Sequence, residues 1–393
     1  MTTEVDTMAA ESAAPRAAAK TQRPKWEDEE AQLFIASQWL LMWWKFRRHR
    51  LAMISTVVTV ILYLTAAFAG FIAPFEPTKH QAKFTYAPPQ LLRFFRTTED
   101  GLKVGPYVYG YEMTVDADSL RREFVINKEE TIPIKFFATG AEYKLLGLFP
   151  TDVHLFGPEN PEQRFYLLGA DRMGRDLFSR LIHGARISLS IGLVGVFLSL
   201  FLGVLIGGFS GYIGGALDNA IQRIIEFLQS IPTIPLWMGL SAALPPDWTP
   251  IMIYFAITII LSLRGWTGMA RVVRGRFLSL REEDFVLAAR LDGASQTRII
   301  LRHMAPSFMS HIIASVTLSI PSMILSETSL SFLGLGLRPP IVSWGVLLKE
   351  SQNVRTVAQA PWLLLPGLAV VIAVLALNFV GDGLRDAADP YAQ

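Results

Sequence analysis

Few residues in this 393-residue chain stand at spacings that could do chemistry, and Ser326, Glu327 and Ser329 come nearest. A carboxylate between hydroxyls could serve a hydrolytic nucleophile, but no histidine lies beside them to act as base, which argues against that reading. There is no GxxxxGK[ST] phosphate loop, no HExxH, and no cluster of His, Asp and Glu at metal-ligand spacing. With no cysteine, the chain has no disulfides, thiolate metal sites or cysteine nucleophile. The run GVLIGGFSGYIGG (Gly203–Gly215) neither follows a strand nor opens a helix of a βαβ unit, so it fails as a dinucleotide fingerprint. Close helix packing and a tight turn explain those glycines better. No catalytic, cofactor-binding or metal-ligating residue is assigned, and the chain is not read as an enzyme.

The residues that remain suggest mechanics. In EDFVLAARLDGASQTRIILRHMAP (Glu283–Pro306), Phe285, Ala288, Ala289, Ile299 and Ile300 recur at helical spacing and predict two short amphipathic helices. Gly293 lies between them, where a helix end needs a residue tolerant of left-handed dihedrals. Pro306 marks the start of the next apolar span. Ala288 and Ala289 make one face small enough to press into a partner's groove.

These residues are positioned by apolar runs long enough to cross a bilayer. Hydrophobic residues make up 51% of the chain and charged ones 18%, which favours a membrane channel or transporter over a soluble enzyme. A net charge of +2 gives no reason to expect nucleic acid as a partner. Spans are predicted at 51–73, 187–208, 219–243, 250–267, 308–333 and 362–382, the third interrupted by Arg223, Glu226, Pro232 and Pro235. The basic segment Lys45–Arg50 and the loop from Arg264 to Pro306, with eight arginines against four acids, should be cytoplasmic. The loop 244–249 has no Lys or Arg, so both termini are expected inside.

Charged or polar residues within spans are costly, roughly 2.5–3.5 kcal/mol for a charge near mid-membrane on insertion scales. Glu226 stands three residues after Arg223, which suits a local ion pair. Glu327 and Asn378 could line a polar path or anchor helices to one another, the second reading being favoured. So few buried carboxylates argue that a proton gradient is not the energy source.

Residues 1–24 are expected to be disordered, and 25–50, with Trp26, Trp39, Trp43 and Trp44, to form a helix in the interface. Ala67-Phe68-Ala69 looks like a signal-peptidase site, but the long preceding region favours an uncleaved anchor. Tyr107–Val115, Phe124–Ile126, Thr131–Phe137 and Tyr143–Leu148 are β-branched or aromatic runs, predicting a small, mostly β insert over 74–186. The expected organisation is a tail (1–50), a first span (51–73), this extracytoplasmic insert, and a five-helix core (187–393) carrying the loop 268–306.

Four motifs and the opening of the first span together carry a resemblance. AARLDGASQTRIILRHMAPS resembles the coupling motif of ABC importer membrane subunits. LGADRMGRDLFSRLIHGARISLSIG (Leu168–Gly192), SETSLSFLGLGLRPPIVSWGVLL (Ser326–Leu348), NFVGDGLRDAADP (Asn378–Pro390) and the opening FRRHRLAMIS, with Phe75-Glu76-Pro77 after the span, resemble the oligopeptide/dipeptide permease family, C-type subunit. The resemblance runs from about residue 40 to the C-terminus. It implies an all-α polytopic membrane protein with six transmembrane helices, the type I ABC importer fold, in the bacterial inner membrane. It further implies pairing with a second homologous permease, two ABC ATPase subunits that bind ATP and Mg, membrane lipids around the spans, and an extracytoplasmic substrate-binding protein.

The ATPase-coupling residues so implied are Asp284, Phe285, Ala288, Ala289, Asp292, Gly293 and Pro306. The family's usual Glu before the two alanines is here Leu287, so Asp284 or Asp292 would supply that polar contact. Asp171, Arg172, Gly174, Arg175 and Asp176 either shape a periplasmic gate or binding-protein contact, or steady the end of the second span. Peptides are the solute implied, with oligosaccharides, opines and nickel as alternatives. A membrane scaffold, which would not need the coupling loop, and a gradient-driven secondary transporter, which should show inverted repeats or discontinuous half-helices with coupling-ion sites, are the rival classes.

Overall fold

The computed structural model describes residues 38–98, 101–115 and 122–388. The expectations for 1–24 and for Trp26 fall outside them. The chain is mostly helical, with one small sheet. Helix α1 (Gln38–Arg48) leaves Trp39 and Trp43 exposed and turns Met42 and Phe46 inward, onto Ala52 and Ala387. Helix α2 (Arg50–Ala67) is capped by His49, whose Nδ1 accepts from Ala52 N at 3.1 Å. Ile54, Val57, Ile61 and Leu64 form an exposed stripe on α2, while Ala52, Ser55 and Ala66 are buried. A one-turn helix α3 (Ala69–Ile72) ends this span.

Four antiparallel strands follow in the order β1-β2-β3-β4: β1 (Arg93–Thr98), β2 (Gly101–Val115), β3 (Arg122–Leu145) and β4 (Phe149–Pro158). The separate runs expected at 124–126 and 131–137, and part of that at 143–148, belong to one 24-residue strand. Its first half pairs with β2 and its second with β4, and bulges near Tyr109/Gly110 and Thr139/Tyr143 absorb the irregular residues between them. Val108, Ile132, Ile134, Phe75 and Phe165 form the sheet's own core.

The second span is a 37-residue helix, α4 (Leu177–Ile213), about 55 Å long at 1.5 Å per residue, so it extends beyond the expected 187–208 at both ends. The expected third span does not form one helix. It is α5 (Gly215–Ser230) and α6 (Thr233–Ala242), broken where Pro232 removes a backbone donor. Then come α7 (Pro250–Leu280), α8 (Asp284–Leu291), α9 (Met309–Phe332), α10 (Trp344–Leu348) and α11 (Leu365–Ala388). Among the described residues five helices are long and apolar enough to cross a membrane, and the α5–α6 pair is not among them. The interruption expected in the third span is thus found as a break between two shorter helices at Pro232.

Glycines let α4 and α7 meet at backbone distance. Gly203, Gly207 and Gly211, one turn apart, lie against Met269, Ala270 and Arg274, and a Cβ at Gly207 would run into the Ala270 backbone. Gly214 and Gly215 take positive φ (70° and 62°) and make the turn into α5. The sheet and α8 sit at opposite ends of α4. At the sheet end Phe75 N donates to Ser179 Oγ, and at the α8 end Tyr212 and Phe277 pack with Val286 and Ile300.

Candidate functional sites: a coupling face, a polar hollow and a charged latch

Helix α8 has two faces. Val286 and Ala289, three residues apart, are buried with Tyr212, Phe277, Ile299 and Ile300, which seats α8 on the ends of the long helices. Asp284, Phe285, Leu287, Ala288 and Leu291 point outward, and Leu291 is 89% exposed. The two alanines therefore do different work: Ala288 is on the outer face, whereas Ala289 is part of the seat. Leu291, one turn beyond Ala288, is the apolar residue that reading the motif missed; continuing the same spacing from Ala288 would have found it.

Gly293 has φ +76°, and the end of α8 closes with two bonds: Gly293 N to Arg290 O and Ala294 N to Ala289 O, each 3.1 Å. That is the double bond pattern of a Schellman ending, which fixes where the chain leaves the helix. The second helix of the loop is not uniform. It starts as α at Gln296–Arg298, widens to a π turn at Ile299–Met304, and closes with Ala305–Ser307, where Pro306 occupies the first turn. Asp292, the residue before Gly293, is exposed.

Between α4, α5, α6, α7 and α9 lies a hollow of about 520 Å³. Ser315, Ser319, Ser322 and Ser326 line it from α9 at spacings of four, three and four, which puts them on one face. Gln229, Thr267 and Arg264 face it from α5 and α7; Gln229 Nε2 donates to Thr267 Oγ1 at 3.1 Å. Arg264 Nη1 donates to Ile231 O at 3.1 Å, capping the broken end of α5 with a cation where the helix dipole is negative. Ser199, a buried residue of α4, lines the same hollow, and its Oγ has no hydrogen-bond partner among the described residues. Polar side chains on apolar helices belong on such internal or water-filled surfaces.

The three polar residues picked from the spans go to three places. Glu226 is on an exposed face of α5, paired with Arg223 at 2.6 Å. Asn378 lines a shallower hollow of about 360 Å³ beside Ser326, Ser329 and Trp237. Glu327 is fully buried. It accepts from Ser188 of α4 (3.1 Å), Ser331 (2.8 Å) and Ser343 (2.7 Å), while Trp344 N donates back to Ser188 Oγ at 3.1 Å. A carboxylate with three hydroxyl donors on two helices and a connecting loop is an anchor between elements, and it does not face the hollow.

At the sheet end, Asp171 and its neighbours form a latch. Asp171 is buried and accepts from Met173 N (2.8 Å), Arg175 N (3.0 Å), Arg175 Nε (2.6 Å) and Arg180 Nη1. Glu350, from the segment after α10, accepts from Arg175 Nη2 at 3.1 Å and lies 3.5 Å from Arg180. Gly174 takes φ +69°, and a Cβ there would strike the Gln81 carbonyl. Asp176 caps α4 through Ser179 N at 2.7 Å, and burial pushes its carboxyl up to about 6. Asp171, Gly174, Arg175 and Asp176 are thus turned inward, holding the start of α4 to the region after α10, and only Arg172 of the five is exposed. Arg180 and Glu350, which complete the latch, lie too far along the chain for local spacing to have joined them to Asp171.

Residues 203–392 match the family described as binding-protein-dependent transport system inner membrane component. Residues 37–89 match the N-terminal TM domain of oligopeptide transport permease C. The oligopeptide transport system permease protein OppC of Bacillus subtilis is 37% identical over 238 residues, 60% of this chain and 75% of that protein. This chain belongs to the same family. The dipeptide transport system permease protein DppC of Bacillus subtilis is 38% identical over 232 residues, 58% of this chain and 70% of that protein. A solved MetNI methionine ABC transporter, in inward-facing form, aligns with TM-score 0.42 and 18% identity over 54% of this chain and 97% of that one. The chain is a membrane-embedded permease subunit of an ABC importer and is not itself a catalyst. The sheet, at 93–158, lies between the two matched stretches.

Proposed function

We propose that this chain forms one half of the pore of a peptide importer and receives the force of ATP binding through α8. The observation that carries this reading is the division of α8. Val286 and Ala289 lock it to the span ends, while Phe285, Leu287, Ala288 and Leu291 remain open for a partner. A helix offering a small apolar face to a groove is a common mode of helix recognition. Its rigid seat means that a push on the outer face moves α4, α7 and α9 together, because a packed core shifts between discrete arrangements and does not stretch.

In this reading the α8 end is cytoplasmic in a bacterial inner membrane, with both termini on that side. Two ABC ATPase subunits bind ATP and Mg there, one of them docking on α8. A second homologous permease supplies the other wall of the pore. An extracytoplasmic binding protein delivers solute at the sheet end. The serine face of α9, with Gln229 and Arg264, gives peptide amides hydroxyl and amide partners without fixed acidic charges, which suits solutes of varied side chains.

The test is uptake of labelled di- to hexapeptides, a plant-type oligosaccharide and nickel in a deletion strain and its complemented control. Loss of peptide uptake, restored by the gene, supports the proposal. Intact peptide uptake with loss of another solute replaces the substrate, and no change for any solute overturns the reading.

A further inference from the structure

The geometry points to the β3–β4 hairpin tip as a lipid anchor that dips into the membrane leaflet on the sheet's side. The path of β3 sets this. Its mid-strand residues Ile132 and Ile134 pack with Phe75, Phe137 meets Phe71 with ring centroids 6.2 Å apart, and Tyr143 lies against Gly70. Going along β3, its partners fall from 75 to 71 to 70, so the strand runs back down toward the span it follows. His154 of β4 fixes this course, with Nδ1 2.9 Å from Gly70 O and Nε2 3.1 Å from Ala141 O. The next residues, at the tip, are therefore carried to the level where α2 and α3 leave the bilayer.

Those tip residues are apolar and open. Leu146, Leu148 and Phe149 are 51%, 73% and 65% exposed. The span itself is apolar outward: α2 carries the exposed stripe Ile54, Val57, Ile61, Leu64, and just beyond its end the half-buried Phe71 is the residue that Phe137, itself exposed, touches. The hairpin thus extends an apolar surface that already faces lipid.

The turn gives a second, independent sign. Leu146 and Gly147 both take positive φ, 52° and 77°, and Leu148 N donates to Leu145 O at 3.0 Å. Turns of this kind favour Asn, Asp or Gly at both central positions. A leucine there works against the turn and is useful only if its side chain is wanted where it points. Because the sheet lies between the two family-matched stretches, this anchor is a property of the insert, and it holds whichever solute the importer carries.

The natural chain has no cysteine, so single reporters are clean once partner thiols are blocked. We would label Leu148→Cys with a nitroxide in the assembled importer, in nanodiscs of phosphatidylethanolamine and phosphatidylglycerol, and compare collision with oxygen and with a water-soluble nickel chelate. The expected result is oxygen-dominated collision, as for Leu64→Cys within the span, against chelate-dominated collision for Lys128→Cys in the same sheet. Adding Leu146→Asn, which suits the turn better, should raise chelate access at position 148 severalfold with the fold intact. A label at 148 as open to the chelate as that at 128 overturns the inference, as does one shielded from both reagents, which would mean a covering protein.

Discussion

Truncating Leu291 to alanine tests the outer face of α8 without touching its seat. The side chain is 89% exposed, so the permease itself should fold and insert as before. If a groove on an ATPase covers it, the change removes three buried carbons at about 0.8 kcal/mol each, and with partial covering about 2 kcal/mol is lost. That is ~30-fold in dissociation constant. The assay is titration of the ATPase subunits onto the permease pair in nanodiscs, followed by fluorescence anisotropy, with binding-protein-stimulated ATP hydrolysis as a second readout. Leu291→Met, which keeps the volume, should stay within about threefold of the natural protein. An unchanged affinity for Leu291→Ala, with normal stimulation, would refute the assignment of this face to the ATPase. Val286→Ala is the contrast, since it should lower thermal stability before it alters docking.

Three further outcomes follow from the geometry. Gly293→Val forces a β-branched residue to φ +76°, at about 1–2 kcal/mol, and should leave ATP hydrolysis running while labelled-peptide uptake falls, because the chain leaves α8 at a wrong angle. Glu327→Leu strands the hydroxyls of Ser188, Ser331 and Ser343, each at about 1–3 kcal/mol, so the melting temperature in nanodiscs should drop sharply, while Glu327→Gln, which keeps an acceptor, should drop less. Asp176 has its carboxyl raised from 3.8 to about 6 by burial, so its contribution to stability is whole below about pH 4 and is lost as pH rises through about 6, a change of about 3 kcal/mol. Melting curves from pH 4 to 7.5 should show that slope in the natural protein and a flatter one in Asp176→Asn, whose side-chain oxygen still caps Ser179.

Much of the architecture was legible because it rests on local rules. Apolar runs marked the long helices, and Gly293 announced a left-handed helix end that the structure shows at φ +76°. The glycines at 203, 207 and 211 were readable as packing residues, since their spacing puts them on one face of α4. What the sequence hid depends on distant partners. Glu327 sits in an apolar run and looks like a candidate for a polar path, and only the approach of Ser188 from α4 and Ser343 from the loop before α10 makes it an anchor. Asp171 and Arg175 could be joined by their spacing of four, but Arg180 and Glu350 could not be added without the fold. The broken third span was foreshadowed by Pro232, yet its repair by Arg264 was not. Adjacent Ala288 and Ala289 read as one knob, whereas successive helical residues point about 100° apart, and this separates docking face from seat.

The central claim, that ATP closure acting on α8 drives import through the serine-lined hollow, is tested most directly in proteoliposomes holding the complete importer. Labelled-peptide uptake would be measured with ATP present, first alone and then with a protonophore that collapses any proton gradient. Uptake that needs ATP, survives the protonophore and is lost in Gly293→Val while hydrolysis continues is the expected result. Uptake that stops with the protonophore, or that proceeds in Gly293→Val at the natural rate, would contradict the account.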